Sequence, residues 1–198
     1  LAKQNVWTEL IKRKLYCQSA LLARHKLSQH ALLEKYIAEL QPNDSTNREG
    51  HAAKVYFNAL WGKQFSRSEE NPVNAALNYG YSLLLSAVNR EICAAGYSTQ
   101  LGINHSNTFN HFNLGCDFLE PLRPLIDDKV FQMAPQQFER EEKMLNSQVM
   151  IEDKRQYLLS AVRIYCTSLL NALQRADTDE IAWIEYPIGS QALEMNQP

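Results

Sequence analysis

The sequence predicts an all-α fold, and three observations support that prediction. Apolar residues recur at three- and four-residue spacing in almost every segment, as they do along one face of a helix. No run alternates between apolar and polar residues for the length of a core strand. Seven glycines in 198 residues are few for a barrel or sandwich with many tight turns. We therefore expect one helical domain over residues 1–186 and a tail over residues 187–198.

Three helices are expected in the first third of the chain. The segments VWTELIKRKLYCQSALLARHKL and QHALLEKYIAEL have helical spacing, and QPNDSTN interrupts it. A third helix is expected to start near Asn47, where Asp44 and Ser45 offer further caps, and to end by Gly62.

The remaining helices follow from similar signals. Pro72 opens a long apolar helix that Gly96 terminates. A polar loop then leads into a helix that carries two acidic residues. Pro135 is expected to start another helical stretch, and EDKRQYLLSAVRIYCTSLLNAL to form a long amphipathic helix.

The composition is that of an ordinary globular protein, with 45% hydrophobic and 21% charged residues. No apolar run approaches the roughly 18 residues that a membrane span needs. The four cysteines are far apart and form no CxxC pair, which predicts reduced, buried thiols in a cytoplasmic protein. Because the chain begins with Leu1 on a predicted helix, we expect it to be a piece of a longer protein.

Charge is distributed unevenly along the chain, although the net charge is only −2. Residues 1–30 carry a net charge of +5, and residues 175–198 carry −4. This asymmetry is compatible with a phosphate-binding face, and two solvated helix faces of opposite sign explain it equally well. The candidate phosphate contacts are Lys12, Arg13, Lys14, Arg24, Lys26 and Arg48.

Glu49 is the first candidate site residue. On a helix it shares a face with Ala53, Tyr56 and Leu60, so its carboxylate points with the apolar stripe. It also lies in the first turn, where free N–H groups favour an ionised carboxylate. A plain N-terminal helix acid is the alternative interpretation.

A second group of candidates lies between residues 102 and 128. Asp117 and Glu120 are neighbours at i and i+3 on one helix, and His105 precedes them in a polar loop. Acids near helix starts and exposed loop histidines are common, so neither feature is decisive alone. Together with Glu49 they offer mostly oxygen donors and one imidazole, a mix that suits Mg²⁺ or Mn²⁺ better than structural zinc.

Four segments in this order, NREGHAAKVYF, NPVNAALNYGYSLL, AGYSTQLGINH and CDFLEPLRPLIDD, resemble the helical C-terminal catalytic domain of the CRISPR-associated integrase family. The version NHFNLGCDFLEPLRP is most similar to the type II systems. The resemblance implies that Glu49, His105 and Glu120 are catalytic metal ligands for Mg²⁺ or Mn²⁺. Asp117 matches a further acidic position near the metal, as a ligand or behind one.

The resemblance also implies a reaction and partners. The reaction is metal-assisted attack of a protospacer 3′-hydroxyl on a phosphodiester at the edge of a CRISPR repeat, or DNA cleavage with water as nucleophile. The implied partners are DNA, a second copy of the full-length protein and a small ferredoxin-like adaptation protein. In type II systems, the RNA-guided nuclease and a ring-forming DNA-binding protein join them. The family's N-terminal β-rich domain has no counterpart in this sequence.

Two functions of other classes remain alternatives. One is a non-catalytic helical interaction module whose acids only cap helices. The other is a metal-dependent phosphohydrolase that acts on small substrates. Against the first, a scaffold has no reason to aim Glu49 along its apolar stripe. Against the second, a small-molecule hydrolase has little use for a basic N-terminal region remote from the site.

Overall fold

Helices dominate the computed structural model, which describes residues 2–133, 145 and 147–185. The helices are α1 (Ala2–Arg24), α2 (His30–Ala38), α3 (Arg48–Trp61), α4 (Pro72–Ala94), α5 (Asn113–Leu119), α6 (Arg123–Gln132) and α7 (Leu158–Arg175). Short 3-10 turns cover Pro42–Asp44 and Glu120–Leu122. Three short strands, β1 (Gln148–Ile151), β2 (Lys154–Tyr157) and β3 (Ile184–Glu185), form a small sheet. The predicted helical fold class is confirmed.

Helix α1 lies at the centre of the domain. It packs against α2, α3, α6, α7 and the 3-10 turn that precedes α6. Buried side chains occur around most of its circumference, as expected for a helix with neighbours on several sides. Those that are fully buried include Leu10, Ile11, Leu15 and Leu21. A polar side chain on this helix therefore needs a partner on a neighbouring element.

The expected helix boundaries near residues 47, 62, 72 and 96 are confirmed to within two residues. At the start of α3 the cap is Asp44, whose carboxylate accepts the backbone N–H groups of Arg48 and Glu49 at 2.7 and 3.0 Å. Asn47 instead adopts a left-handed conformation with φ 53°. The chain thus turns sharply just before α3, and Glu49 in the first turn of that helix points towards the centre of the domain.

Two prolines divide the predicted acidic helix into α5 and α6. Pro121 and Pro124 have no backbone N–H to donate, and the chain around Pro121 forms the 3-10 turn Glu120–Leu122. The hydroxyl of Tyr165 on α7 donates to the carbonyl oxygen of Phe118 at 2.9 Å, which holds α5 against the core. Asp117 and Glu120 thereby enter the interior from one short segment.

The sheet corrects one prediction. Residues 152–157 were expected to begin a helix, but they form the turn and second strand of an antiparallel hairpin. Glu152 and Asp153 both have positive φ, 50° and 59°, as in a two-residue turn whose twist matches the strands. Each strand of the hairpin has four residues, so its alternation is too short to be distinguished from helical spacing.

The cysteines only partly match the expectation. Cys17 and Cys166 are buried, Cys116 is half-buried and Cys93 is exposed, so the expected burial is wrong for Cys93. All four are free thiols. No helix among the described residues is long and apolar enough to cross a membrane. The helix predicted at Pro135 and the tail over residues 187–198 lie outside the described residues.

Candidate active site

A lysine joins the two glutamates of the predicted site. Lys14 on α1 donates through Nζ to Glu49 Oε1 at 2.6 Å and to Glu120 Oε2 at 2.5 Å. The side chains of Lys14 and Glu120 are 9% and 6% exposed, and that of Glu49 is 28% exposed. Two carboxylates from distant parts of the chain therefore converge on a single positive charge.

Arg123 balances the second carboxylate oxygen of Glu120. Its Nε donates to Glu120 Oε1 at 3.0 Å, and its guanidinium lies over the Tyr81 ring at 4.7 Å from the centroid. Burial alone would raise the pKa of Glu120, but the charges of Lys14 and Arg123 outweigh it and lower that pKa to about 2. Burial alone would likewise lower the pKa of Lys14, and the two glutamates raise it. Glu120 is thus ionised and Lys14 is charged.

Asp117 organises the loop that carries His105. Its side chain is fully buried, and it accepts the backbone N–H groups of Ile103, Asn104 and His105 at 2.5, 3.2 and 3.1 Å. Its Oδ1 also bonds His105 Nδ1 at 2.6 Å. Because this carboxylate accepts four hydrogen bonds, it acts as the anchor of the loop, and Nε2 of His105 is the ring nitrogen left for another group.

His105 contacts the face of α1 that also carries Lys14 and its two glutamates. Its ring meets Trp7 edge-on, with centroids 5.9 Å apart, and Trp7 is two helical turns before Lys14. The hydrogen bond that His105 donates to Asp117 raises the pKa of His105 above its ordinary value of 6.5, and the charge of Glu120 contributes to that rise. Helix α1 thus supports both halves of the site.

The structure as it stands does not gather a complete metal-binding set. Among residues 2–133, 145 and 147–185, no three His, Cys, Asp or Glu side chains lie close enough to hold one metal ion. The ammonium of Lys14 occupies the position between Glu49 and Glu120 instead. The donor chemistry still fits Mg²⁺ or Mn²⁺, because two carboxylates already close on one cation beside an oriented imidazole.

Gly102 lies where the His105 loop leaves no room for a side chain. A Cβ at this position would overlap the His105 carbonyl oxygen and would approach Asp117 Oδ2 to 2.8 Å. We expect Gly102→Ala to lower the free energy of unfolding by about 1–3 kcal/mol, since the overlap is with backbone. Chemical denaturation tests this, with Ser106→Ala in the exposed part of the loop as control. Equal stability of the two variants would show that the loop adjusts freely.

A buried hydrogen-bonded triad lies behind Arg123. The hydroxyl groups of Tyr81 and Tyr56 donate to the two carboxylate oxygens of Asp127, Tyr56 at 2.9 Å. Burial raises the pKa of Asp127 to about 6, against these hydrogen bonds and the charge of Arg123. The triad fixes the Tyr81 ring under Arg123, so it supports the guanidinium that holds Glu120.

Arg67 is a second arginine beside Tyr81 that sequence reasoning missed. Its guanidinium lies 5.5 Å from the centroid of the Tyr81 ring and donates to the side-chain oxygens of Asn74 and Asn78, the latter at 2.7 Å. The asparagines of the NPVNAALNYGY segment therefore hold this arginine. Nothing in the polar SRSEEN loop distinguished Arg67 from an ordinary exposed residue.

The predicted phosphate contacts have different environments. Lys12 and Lys26 are exposed. Arg13 donates to a backbone carbonyl oxygen of β3 at 2.9 Å, and Arg24 and Arg48 each pair with a carboxylate, at 2.7 and 2.9 Å. Contact of these residues with phosphate stays a prediction.

Lys14 differs from the other five because it is buried in the glutamate cluster. A sequence signal for this was present. Lys14 follows Trp7, Leu10 and Ile11 at helical spacing, so it continues an apolar stripe and does not lie on the exposed side that carries Lys12. A lysine in such a stripe needs a buried anion, and Glu49 on its own apolar stripe was a candidate.

In the described part of the chain, helices packed around α1 and the two glutamates and anchored histidine that lie along it define a helical protein with a candidate divalent-cation site. The chain belongs to the Cas1 family: the family model described as CRISPR associated protein Cas1 matches residues 2–163. The family predicted from the four sequence motifs is therefore confirmed.

Two similar curated proteins are also named Cas1. The chain is 40% identical over 136 residues to a CRISPR-associated endonuclease Cas1 of Neisseria meningitidis serogroup C, covering 68% of this chain and 44% of the relative. It is 32% identical over 130 residues to a CRISPR-associated endonuclease Cas1 of Thermus thermophilus, covering 59% and 41%. The chain thus spans less than half the length of these relatives.

Solved structures share the fold. A Cas1 protein from Thermotoga maritima superposes with a TM-score of 0.71 at 16% identity, over 88% of this chain and 69% of that one. A casposase bound to an integration product gives 0.70 at 19% identity, over 89% and 62%. The chain also matches a Cas6-RT-Cas1–Cas2 complex with a TM-score of 0.70 at 21% identity, over 93% and 25%.

Proposed function

We propose that this chain is the catalytic domain of a metal-dependent DNA endonuclease and integrase that inserts protospacers into a CRISPR array. The observation that carries the proposal is the convergence of Glu49 and Glu120 on one cation, with His105 anchored beside them. Membership of the Cas1 family and the names of the curated relatives support the reaction class.

Glu49, His105 and Glu120 would hold Mg²⁺ or Mn²⁺, which when bound would polarise phosphoryl oxygens and help deprotonate a 3′-hydroxyl or water nucleophile. The chain's own residues prepare this arrangement. Asp117 fixes the His105 ring through Nδ1 and leaves Nε2 for coordination, as partners of ligating histidines usually do. Arg123 holds one oxygen of Glu120. Asp117 is therefore assigned as a positioning residue behind His105.

DNA is the proposed substrate, since the relatives are named endonucleases and exposed cations occur on α1, which carries Lys14, and just after its end. Lys12 and Lys26 are exposed. Their contacts with phosphate groups would be independent of the DNA sequence and would be weakened by salt. We further propose that the full-length protein acts as a dimer with a small ferredoxin-like adaptation protein, with the RNA-guided nuclease and a ring-forming DNA-binding protein as additional type II partners. The fold shared with a Cas6-RT-Cas1–Cas2 complex supports an assembly with another adaptation protein.

Mn²⁺ binding measured by calorimetry tests the metal site. We expect the chain to bind Mn²⁺ and the His105→Ala variant to lose most of that affinity, because His105 supplies the nitrogen donor. His51→Ala is the matched control, since His51 lies in α3 two residues from Glu49 and is exposed. Binding unchanged in His105→Ala would remove His105 from the site.

The reaction class needs a separate measurement. Cleavage of branched DNA by the parent chain, lost in Glu49→Gln, would agree with the proposal. Hydrolysis of a small phosphate ester without DNA cleavage would favour the phosphohydrolase alternative. Absence of Mn²⁺ binding by parent and variants alike would favour the helical interaction module.

A further inference from the structure

Lys14 occupies the place where the proposed metal would bind. Its Nζ is 2.6 Å from Glu49 Oε1 and 2.5 Å from Glu120 Oε2, distances of strong charge-assisted hydrogen bonds. A divalent cation needs the same two carboxylates at shorter range. The ammonium and the metal therefore exclude one another.

The charges of the cluster explain why Lys14 is there. Glu49 and Glu120 supply two negative charges, and Lys14 and Arg123 supply two positive charges, so the cluster is neutral without metal. Without Lys14, two carboxylates would face each other across a largely dry space, which is unfavourable. Lys14 therefore keeps the two ligands together when no metal is bound.

The same charge opposes the metal. A divalent ion added beside Lys14 and Arg123 would give the cluster a net charge of +2, and without Lys14 the charge would be +1. Lys14 has a flexible four-carbon stem, so it can swing away, but it then loses both carboxylate partners. Replacement of Lys14 by a metal ion therefore costs the free energy of its two ion pairs. Arg123 imposes no such cost, because it bonds the other oxygen of Glu120.

We propose that Lys14 is a positioning residue that holds Glu49 and Glu120 together in the metal-free protein and competes with the divalent cation for them. The inference rests on the proposed function, because it takes these glutamates to be the metal ligands. It assigns to Lys14 a role in setting metal affinity rather than in contacting DNA.

Calorimetry with Mn²⁺ tests the competition directly. We expect Lys14→Met to bind Mn²⁺ at least about tenfold more tightly than the parent, because a like charge beside the ion has been removed. Lys12→Met is the matched control: it makes the same change of net charge on an exposed part of the same helix, and its affinity should equal that of the parent.

The outcomes separate the two proposals. Tighter binding in Lys14→Met alone supports the competition. Equal or weaker binding in a folded Lys14→Met, with binding by the parent, overturns it and leaves the metal site standing. Binding by neither protein overturns both, since the glutamates are then not metal ligands.

A measurement on the unmodified chain covers the case of a variant that does not fold. Reductive methylation followed by peptide mass spectrometry reports the reactivity of each lysine. We expect Lys14 to react slowly without metal and about tenfold faster with saturating Mn²⁺, because the amine loses its buried partners. Lys12 should react equally under both conditions. Unchanged reactivity of Lys14 in the metal-bound protein would overturn the inference.

Discussion

Glu120→Gln is expected to lower the free energy of unfolding by about 3–5 kcal/mol at pH 7, the usual result of removing one partner from a buried ion pair. Glu120 is the carboxylate shared by Lys14 and Arg123, with bonds of 2.5 and 3.0 Å, and its side chain is 6% exposed. Its removal leaves Arg123 without this bond and Lys14 with Glu49 alone. Chemical denaturation measures the loss.

Glu49→Gln is the matched control for this experiment. Glu49 is 28% exposed and bonds Lys14, which keeps Glu120 as its second partner. We therefore expect Glu49→Gln to cost only about 1 kcal/mol, near the value of an exposed pair. Equal losses in the two variants would show that the deeper burial of Glu120 and its bond to Arg123 add nothing to its contribution. Glu49→Gln thus disturbs the stability less than Glu120→Gln and is better suited to a test of metal binding.

The loss in Glu120→Gln should depend on pH. Because the folded-state pKa of Glu120, about 2, lies below its ordinary value of 4.5, the stability from its ion pairs is fully present above pH 4.5. It is lost as the pH falls towards 2. The difference in unfolding free energy between the parent and Glu120→Gln should therefore shrink through this range. A constant difference would contradict the depressed pKa.

Asp117→Ala is expected to cost about 3 kcal/mol or more, because several hydrogen bonds to a buried charged group are lost together. Three backbone N–H groups of the His105 loop lose their acceptor, and the imidazole loses its orientation. We expect denaturation to show the loss and Mn²⁺ affinity to fall with it. The position of His105 is set by this buried carboxylate rather than by the loop sequence.

A titration separates the orienting role of Asp117 from a purely structural one. The hydrogen bond that His105 donates to Asp117 raises the pKa of His105, so NMR should show that pKa falling towards its ordinary value of 6.5 in Asp117→Asn. The matched control is Asp153→Asn, the same change in an exposed turn, which should leave His105 unchanged. A raised His105 pKa that persists in Asp117→Asn would contradict the assignment.

The extent of sequence prediction differs between the fold and the site. Helical spacing and the signals at Gly62, Pro72 and Gly96 predicted most helix boundaries, because these residues act on the local backbone. The hairpin at residues 148–157 was missed, since its strands depend on pairing with each other rather than on local pattern. Glu49, His105 and Glu120 were chosen together only through the family resemblance.

By itself, the sequence determined the helical class, the family and the residue types available to the site, because periodicity, caps and ordered motifs are written locally along the chain. Only the tertiary structure decided what those residues do to one another. It placed Lys14 between two glutamates that lie 35 and 106 residues away and put Asp117 beneath the His105 loop. Such pairings depend on burial and charge balance between elements that meet only in the folded core.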